Sequence, residues 1–132
     1  MSADYPNDLK YTKEHEWARV DGKVATIGVT KFAVDSLGDI TQVDLPNEGE
    51  EVRKDQVFGT VESVKAVSDL FAPCTGKVIK TNSPLTDSPE MVNEDCYDEG
   101  WMVQVELKDP KELDALMSST EYEAYLKEQD AG

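Results

Sequence analysis

Two short β-branched runs, pinned between Gly59 and Pro73 and separated by Ser63-Val64-Lys65-Ala66, limit the folds open to this chain more than any other stretch. Valines at 61, 64 and 67 recur at three-residue spacing and could be taken as one helical face. Valine favours a pleated chain, however, and the bounding glycine and proline leave a segment shorter than an ordinary helix. The stretch is therefore predicted to form two strands meeting at a tight turn, with Lys65 at the tip. A lysine placed there keeps its ammonium in water and its stem clear of the body, within reach of a modifying enzyme. Position alone favours a plain solubilising charge, which is what most hairpin-tip lysines are.

The 132 residues suit one domain with a modest core. No apolar run approaches the roughly 20 residues that cross a bilayer as a helix. The opening Met1-Ser2-Ala3-Asp4-Tyr5 has neither the basic and apolar regions of a secretory signal nor the arginines of a transit peptide. A cytoplasmic location is expected, or the mitochondrial matrix if this is a mature eukaryotic chain. With 28 acidic against 13 basic side chains, the net charge is −15. Such a surface repels phosphate backbones and anionic lipids, so neither nucleic acid nor membrane is an expected partner. It would steer the chain toward basic patches on proteins, or serve solubility alone.

Little in the composition can do catalysis. Cys74 and Cys96 are the only cysteines and His15 the only histidine, which leaves no plausible zinc set. The cysteines are expected as two buried thiols. The acidic run from Asn93 to Gly100 fails the calcium-loop pattern, with tyrosine at the third ligand position and its glycine too late. Nucleophile elbow, P-loop and dinucleotide fingerprint are all missing. His15 is placed in a strand-like segment, as a packed or solvated residue.

Along the chain, a polar lead precedes Leu9-Lys10-Tyr11-Thr12-Lys13. His15-Glu16-Trp17-Ala18-Arg19-Val20 and Val24-Ala25-Thr26-Ile27-Gly28-Val29 read as paired strands across Asp21-Gly22. Thr30 can cap a short helix through Leu37, which Gly38 stops. Residues 39–45 alternate like a half-buried strand. After the central hairpin, residues 77–82 form a strand, residues 83–90 a turn-rich loop without helical or strand period, and residues 102–107 a last strand. Asp109-Pro110-Lys111-Glu112 fits a helix start, with Leu113, Leu116 and Met117 on one apolar face. Ser119 begins a second helix whose Tyr122, Tyr125 and Leu126 read as core rather than as a binding stripe. Residues 128–132 are expected to fray. The result is a β core over about 9–107, with helices over about 109–128 packed outside.

Several phrases are similar to those of one family. Glu62-Ser63-Val64-Lys65-Ala66, followed by Ser68-Asp69, closely resembles the lipoyl-attachment segment of glycine cleavage system H proteins. Tyr-Thr-Lys-Glu-His-Glu-Trp, Ala-Thr-Ile-Gly-Val-Thr, Leu-Pro-x-x-Gly, Pro-Glu-x-Val-Asn and Tyr-x-x-Gly-Trp-Met extend the resemblance from Leu9 to about Leu126. Cys96 departs from it, standing where proline is expected. The fold implied is mainly β, a flattened barrel-sandwich hybrid of the lipoyl/biotinyl type with a short internal helix and C-terminal helices outside.

The resemblance implies a non-catalytic carrier, expected to be a monomer. Lys65 would bear lipoic acid in amide linkage. Its partners would be a pyridoxal-phosphate glycine decarboxylase (P protein), a folate-dependent aminomethyltransferase (T protein) and dihydrolipoyl dehydrogenase (L protein), with a lipoyl ligase or transferase attaching the group. Glu16 and Asp69 match family positions near the loaded arm, and Glu62 and Ser63 those met by the attaching enzyme. Competing functions are an acyl-carrying lipoyl or biotinyl domain, disfavoured by the helical additions and the absence of Met-Lys-Met, a lipoyl relay to other proteins, and a non-carrier binding module.

Overall fold

The computed structural model describes residues 5–131; Met1–Asp4 of the polar lead and Gly132 at the acidic end lie outside the described residues. Strands β1 (Lys10–Tyr11), β2 (Glu16–Asp21) and β3 (Val24–Val29) lead into helix α1 (Lys31–Leu37). Strands β4 (Ile40–Asp44), β5 (Glu51–Val52), β6 (Val57–Ser63), β7 (Val67–Phe71) and β8 (Gly76–Thr81) follow. Then come two helical turns, α2 (Pro84–Asp87) and α3 (Glu90–Glu94), strand β9 (Val103–Leu107), a 3-10 segment (Pro110–Ala115) and helix α4 (Ser119–Ala131). The strands form a six-stranded sheet, β1-β2-β3-β9-β8-β5, and a three-stranded sheet, β4-β6-β7. All of their pairings are antiparallel. The mainly β architecture is the expected one.

Alternation builds the sandwich. Ala18, Ala25, Ile27, Val78, Val103 and Val105 of the larger sheet meet Val43, Val61 and Leu70 of the smaller one in a single buried cluster. Each valine, isoleucine or leucine among them contributes about 1.5–3 kcal/mol on burial. A second cluster lies on the outside of the larger sheet, where Leu9, Tyr11 and Trp17 are covered by Tyr122 and Leu126 of α4. Tyr122 stacks on Tyr11 with ring centroids 4.8 Å apart. This is the core role expected of the C-terminal aromatic stripe.

The structure corrects four local expectations. Residues 84–87 are helical, not loop, and residues 90–94 form a second helical turn. Each is one turn, too short for a period to show, and the buried Leu85 and Val92 hold them to the body. The helix expected after Asp109 is 3-10, and Leu116 is already extended. Met117 instead exchanges two 2.8 Å main-chain hydrogen bonds with Tyr11, and Glu112 accepts from the Thr75 amide and hydroxyl rather than closing a capping box. His15 lies outside β2, in a turn at φ 72°. Finally, α4 continues to Ala131 where fraying was expected. Thr30 and Gly38 do cap α1: the Thr30 hydroxyl accepts from Ala33 N, and Gly38 has φ 80°. Both cysteines are free and buried.

Candidate functional site

Strands β6 and β7 pair from Val57↔Phe71 to Glu62↔Val67, and the four residues Ser63-Val64-Lys65-Ala66 close the turn. Ser63 organises that turn. Its main-chain N–H donates to the Ala66 carbonyl at 2.8 Å, and its Oγ accepts from the amides of Lys65 and Ala66, each at 3.1 Å. A serine can do this because a short side-chain oxygen replaces a backbone acceptor. Lys65 therefore stands on a turn fixed from beneath while its own side chain is exposed. Among the described residues, its ammonium joins none of the ion pairs.

The flanking valines dispose of the helical alternative. Val61 is buried, but Val64 is 72% and Val67 63% exposed, so the three never share a buried face. They leave a small apolar rim around Lys65. Glu62 is half-buried on β6, and Asp69 is exposed on β7 opposite Thr60.

Glu16 comes to the other end of β7. It belongs to β2, yet its side chain is only 1% exposed and reaches across to the free edge of the smaller sheet. Oε1 accepts from the Thr12 hydroxyl at 2.8 Å, and Oε2 from the Phe71 amide at 3.1 Å. Burial raises its pKa to about 8, outweighing those two hydrogen bonds, which favour the charged form. A carboxyl poised near neutrality beside an edge strand can bind a cation or hold a proton. Asp69 lies two residues before Phe71 on β7, with its side chain exposed. A cleft of about 310 Å³ opens alongside, lined by Thr12, Lys13, Glu14, Lys54, Asp55 and Met117 among others. Thr12 belongs to both this cleft and the Glu16 hydrogen bond.

Two contributors escaped the sequence reading. Thr12 enters the sequence only as part of a family-like phrase, although its place four residues before Glu16 is the spacing of a side-chain brace across a turn. Asn93 was read only as part of a phrase and a failed calcium loop. In the structure its Nδ2 donates to Gly38 O at 2.8 Å, and its Oδ1 accepts from Ile40 N at 2.9 Å.

The chain matches the family model described as glycine cleavage H-protein over residues 9–129. It is 54% identical over 127 residues to the glycine cleavage system H protein of Anaeromyxobacter sp. (strain K), covering 96% of this chain and 99% of that one. Against the protein of that name from Symbiobacterium thermophilum it is 51% identical over 126 residues, covering 96% and 98%. The crystal structure of a glycine cleavage system H protein from Mycobacterium marinum superposes with a TM-score of 0.86 at 34% identity. That superposition covers 92% of this chain and 98% of the other.

Proposed function

The chain belongs to the glycine cleavage H-protein family and has its lipoyl-carrier role, and we propose that Lys65 is the residue that bears lipoic acid. The observation carrying this assignment is the Ser63-braced turn, which presents one exposed lysine amine at the end of a rigid hairpin. A lipoyl group in amide linkage there supplies a redox-active disulfide on a long tether. The chain's own residues do the rest, with no catalysis by the carrier itself.

The β6–β7 hairpin fixes the base of the tether, so each visit to a partner site becomes a local search rather than a free encounter. The partners served are the glycine decarboxylase (P protein), the aminomethyltransferase (T protein) and dihydrolipoyl dehydrogenase (L protein). Glu62 and Ser63, at the base of the turn, are the contacts for the lipoyl ligase or transferase. Glu16 and Asp69 provide acidic groups at the β7 edge, where the basic end of a loaded tether is held away from water. The cleft beside Thr12 gives that end room.

Lipoylated protein is expected to support glycine–bicarbonate exchange by the decarboxylase, and Lys65→Arg protein carried through the same loading reaction to support none. Equal exchange with both would remove Lys65 from the role. Alanine at both Glu16 and Asp69 should leave loading intact but shorten the lifetime of the aminomethyl group. An unchanged lifetime would remove these two carboxyls from its protection.

A further inference from the structure

Resting on the assignment of Lys65 as the attachment point, we propose that Asn93 is a positioning residue for the arm. Its two hydrogen bonds grip the main chain on both sides of Asp39. Nδ2 donates to the carbonyl of Gly38, and Oδ1 accepts from the amide of Ile40. Only one orientation of the amide works, because a flip would set donor against donor and acceptor against acceptor. The gripped segment is the platform on which the hairpin tip rests. Asp39 O accepts from Val64 N at 3.3 Å, one residue before Lys65. Ile40 pairs with Ser63, the residue that braces the turn. The lysine stem lies over the same segment, since a Cβ on Gly38 would sit 3.4 Å from Lys65 Cε.

This contact explains a demand on two otherwise unconnected positions. Gly38 has φ 80°, a conformation that L side chains rarely adopt, and it leaves open the surface across which the Lys65 stem runs. Without Asn93, the two-residue link Gly38-Asp39 would have to hold that shape on the α1 cap bond and strand pairing alone. Asn93 comes from α3, a turn anchored in the core by Val92, so the platform inherits its position from the body of the fold. A looser tip spends less time in the arrangement an attaching enzyme accepts, which weakens its apparent affinity in proportion. Glu62 and Ser63 then meet the enzyme, while Asn93 acts through Asp39 without touching it.

The test compares wild type, Asn93→Ala and Asn93→Asp as acceptors for a lipoate ligase, with amide hydrogen exchange on the same proteins. For Asn93→Ala, KM for the acceptor is expected to rise about fivefold with kcat within about twofold, the effect of losing about one net hydrogen bond. Exchange at Val64 and Ile40 should accelerate, while Trp17 and Ile27 in the larger sheet keep their protection. Asn93→Asp retains the bond to Ile40 but sets a carboxylate oxygen against the Gly38 carbonyl, so its KM is expected to rise at least as far as that of the alanine variant. It carries the test if the alanine variant fails to fold. Wild-type kinetics in a variant with a loosened Val64 would overturn the proposal. Protection lost evenly across both sheets, with a matching fall in Tm, would also overturn it by making Asn93 merely structural. A wild-type chain that accepts no lipoyl group would overturn the Lys65 assignment itself, and the proposal with it.

Discussion

Glu16 couples the stability of the fold to pH. Its proton is held by the folded chain up to a pKa of about 8, whereas an unfolded glutamate releases it near 4.5. Below 4.5 both states are protonated and the contribution is fully present. As pH rises through the window to about 8, only the folded state keeps the proton, so stability falls. Glutamine mimics the protonated acid, with its amide donating to Thr12 Oγ1 and its carbonyl accepting from Phe71 N. Glu16→Gln is expected to flatten the slope between pH 4.5 and 8, and to exceed wild type in stability at pH 8 by on the order of 1–3 kcal/mol. Urea melts across that pH range would check it; an unchanged slope would mean Glu16 titrates normally. That Glu16 is buried could not have been read from the sequence. In the sequence Glu16 stands between His15 and Trp17 like an ordinary surface carboxylate, and only the tertiary approach of β7 buries it. His15 was misplaced for a related reason. Positive φ in a non-glycine residue leaves no compositional mark, and it is fixed here by packing on Phe32 and by a 2.8 Å bond between Nδ1 and Tyr122 Oη.

The central hairpin was legible among the elements because its signals are local: β-branched runs, bounding Gly59 and Pro73, and a serine two residues before the tip. The α1 caps were legible for the same reason. Turns α2 and α3 were not, since a single turn has no period and owes its stability to Leu85 and Val92 in the core. The Asp109 helix misled because cap chemistry was present while the propagating helix was not. Asp109 does accept from Lys111 N, but Met117 was taken by Tyr11. Close strand approach also has a price in side chains. A Cβ on Gly76 would run into the Glu106 carbonyl oxygen and the Val105 side chain on β9. A main-chain obstacle cannot rotate away. Gly76→Ala is expected to cost about 2–3 kcal/mol by chemical denaturation. A loss under 0.5 kcal/mol would show that β8 and β9 can part at no cost.

Across the whole chain, α4 is tied to the site through one hydroxyl. Tyr122 Oη lies 2.8 Å from both His15 Nδ1 and Thr30 Oγ1, so it joins the C-terminal helix to the turn before Glu16 and to the cap of α1. Tyr122→Phe keeps the stacking and removes that junction. The expected loss is about 1–3 kcal/mol of global stability, read by thermal or urea melts. No measurable loss would mean that α4 is held by its apolar contacts alone. The net charge of −15 acts at this scale too. Association with the attaching ligase should slow as salt rises from 50 to 300 mM, and a salt-independent rate would reduce the acidic surface to a solubility device. All of these arrangements converge on Lys65, whose exposure at a braced tip is the centre of the account. Intact mass after incubation with lipoate, ATP and a competent ligase, run beside Lys65→Arg, addresses it most directly. A gain of one lipoyl group is expected in the wild type and none in the variant. An unmodified wild type, or a variant that gains the group at another lysine, would contradict it.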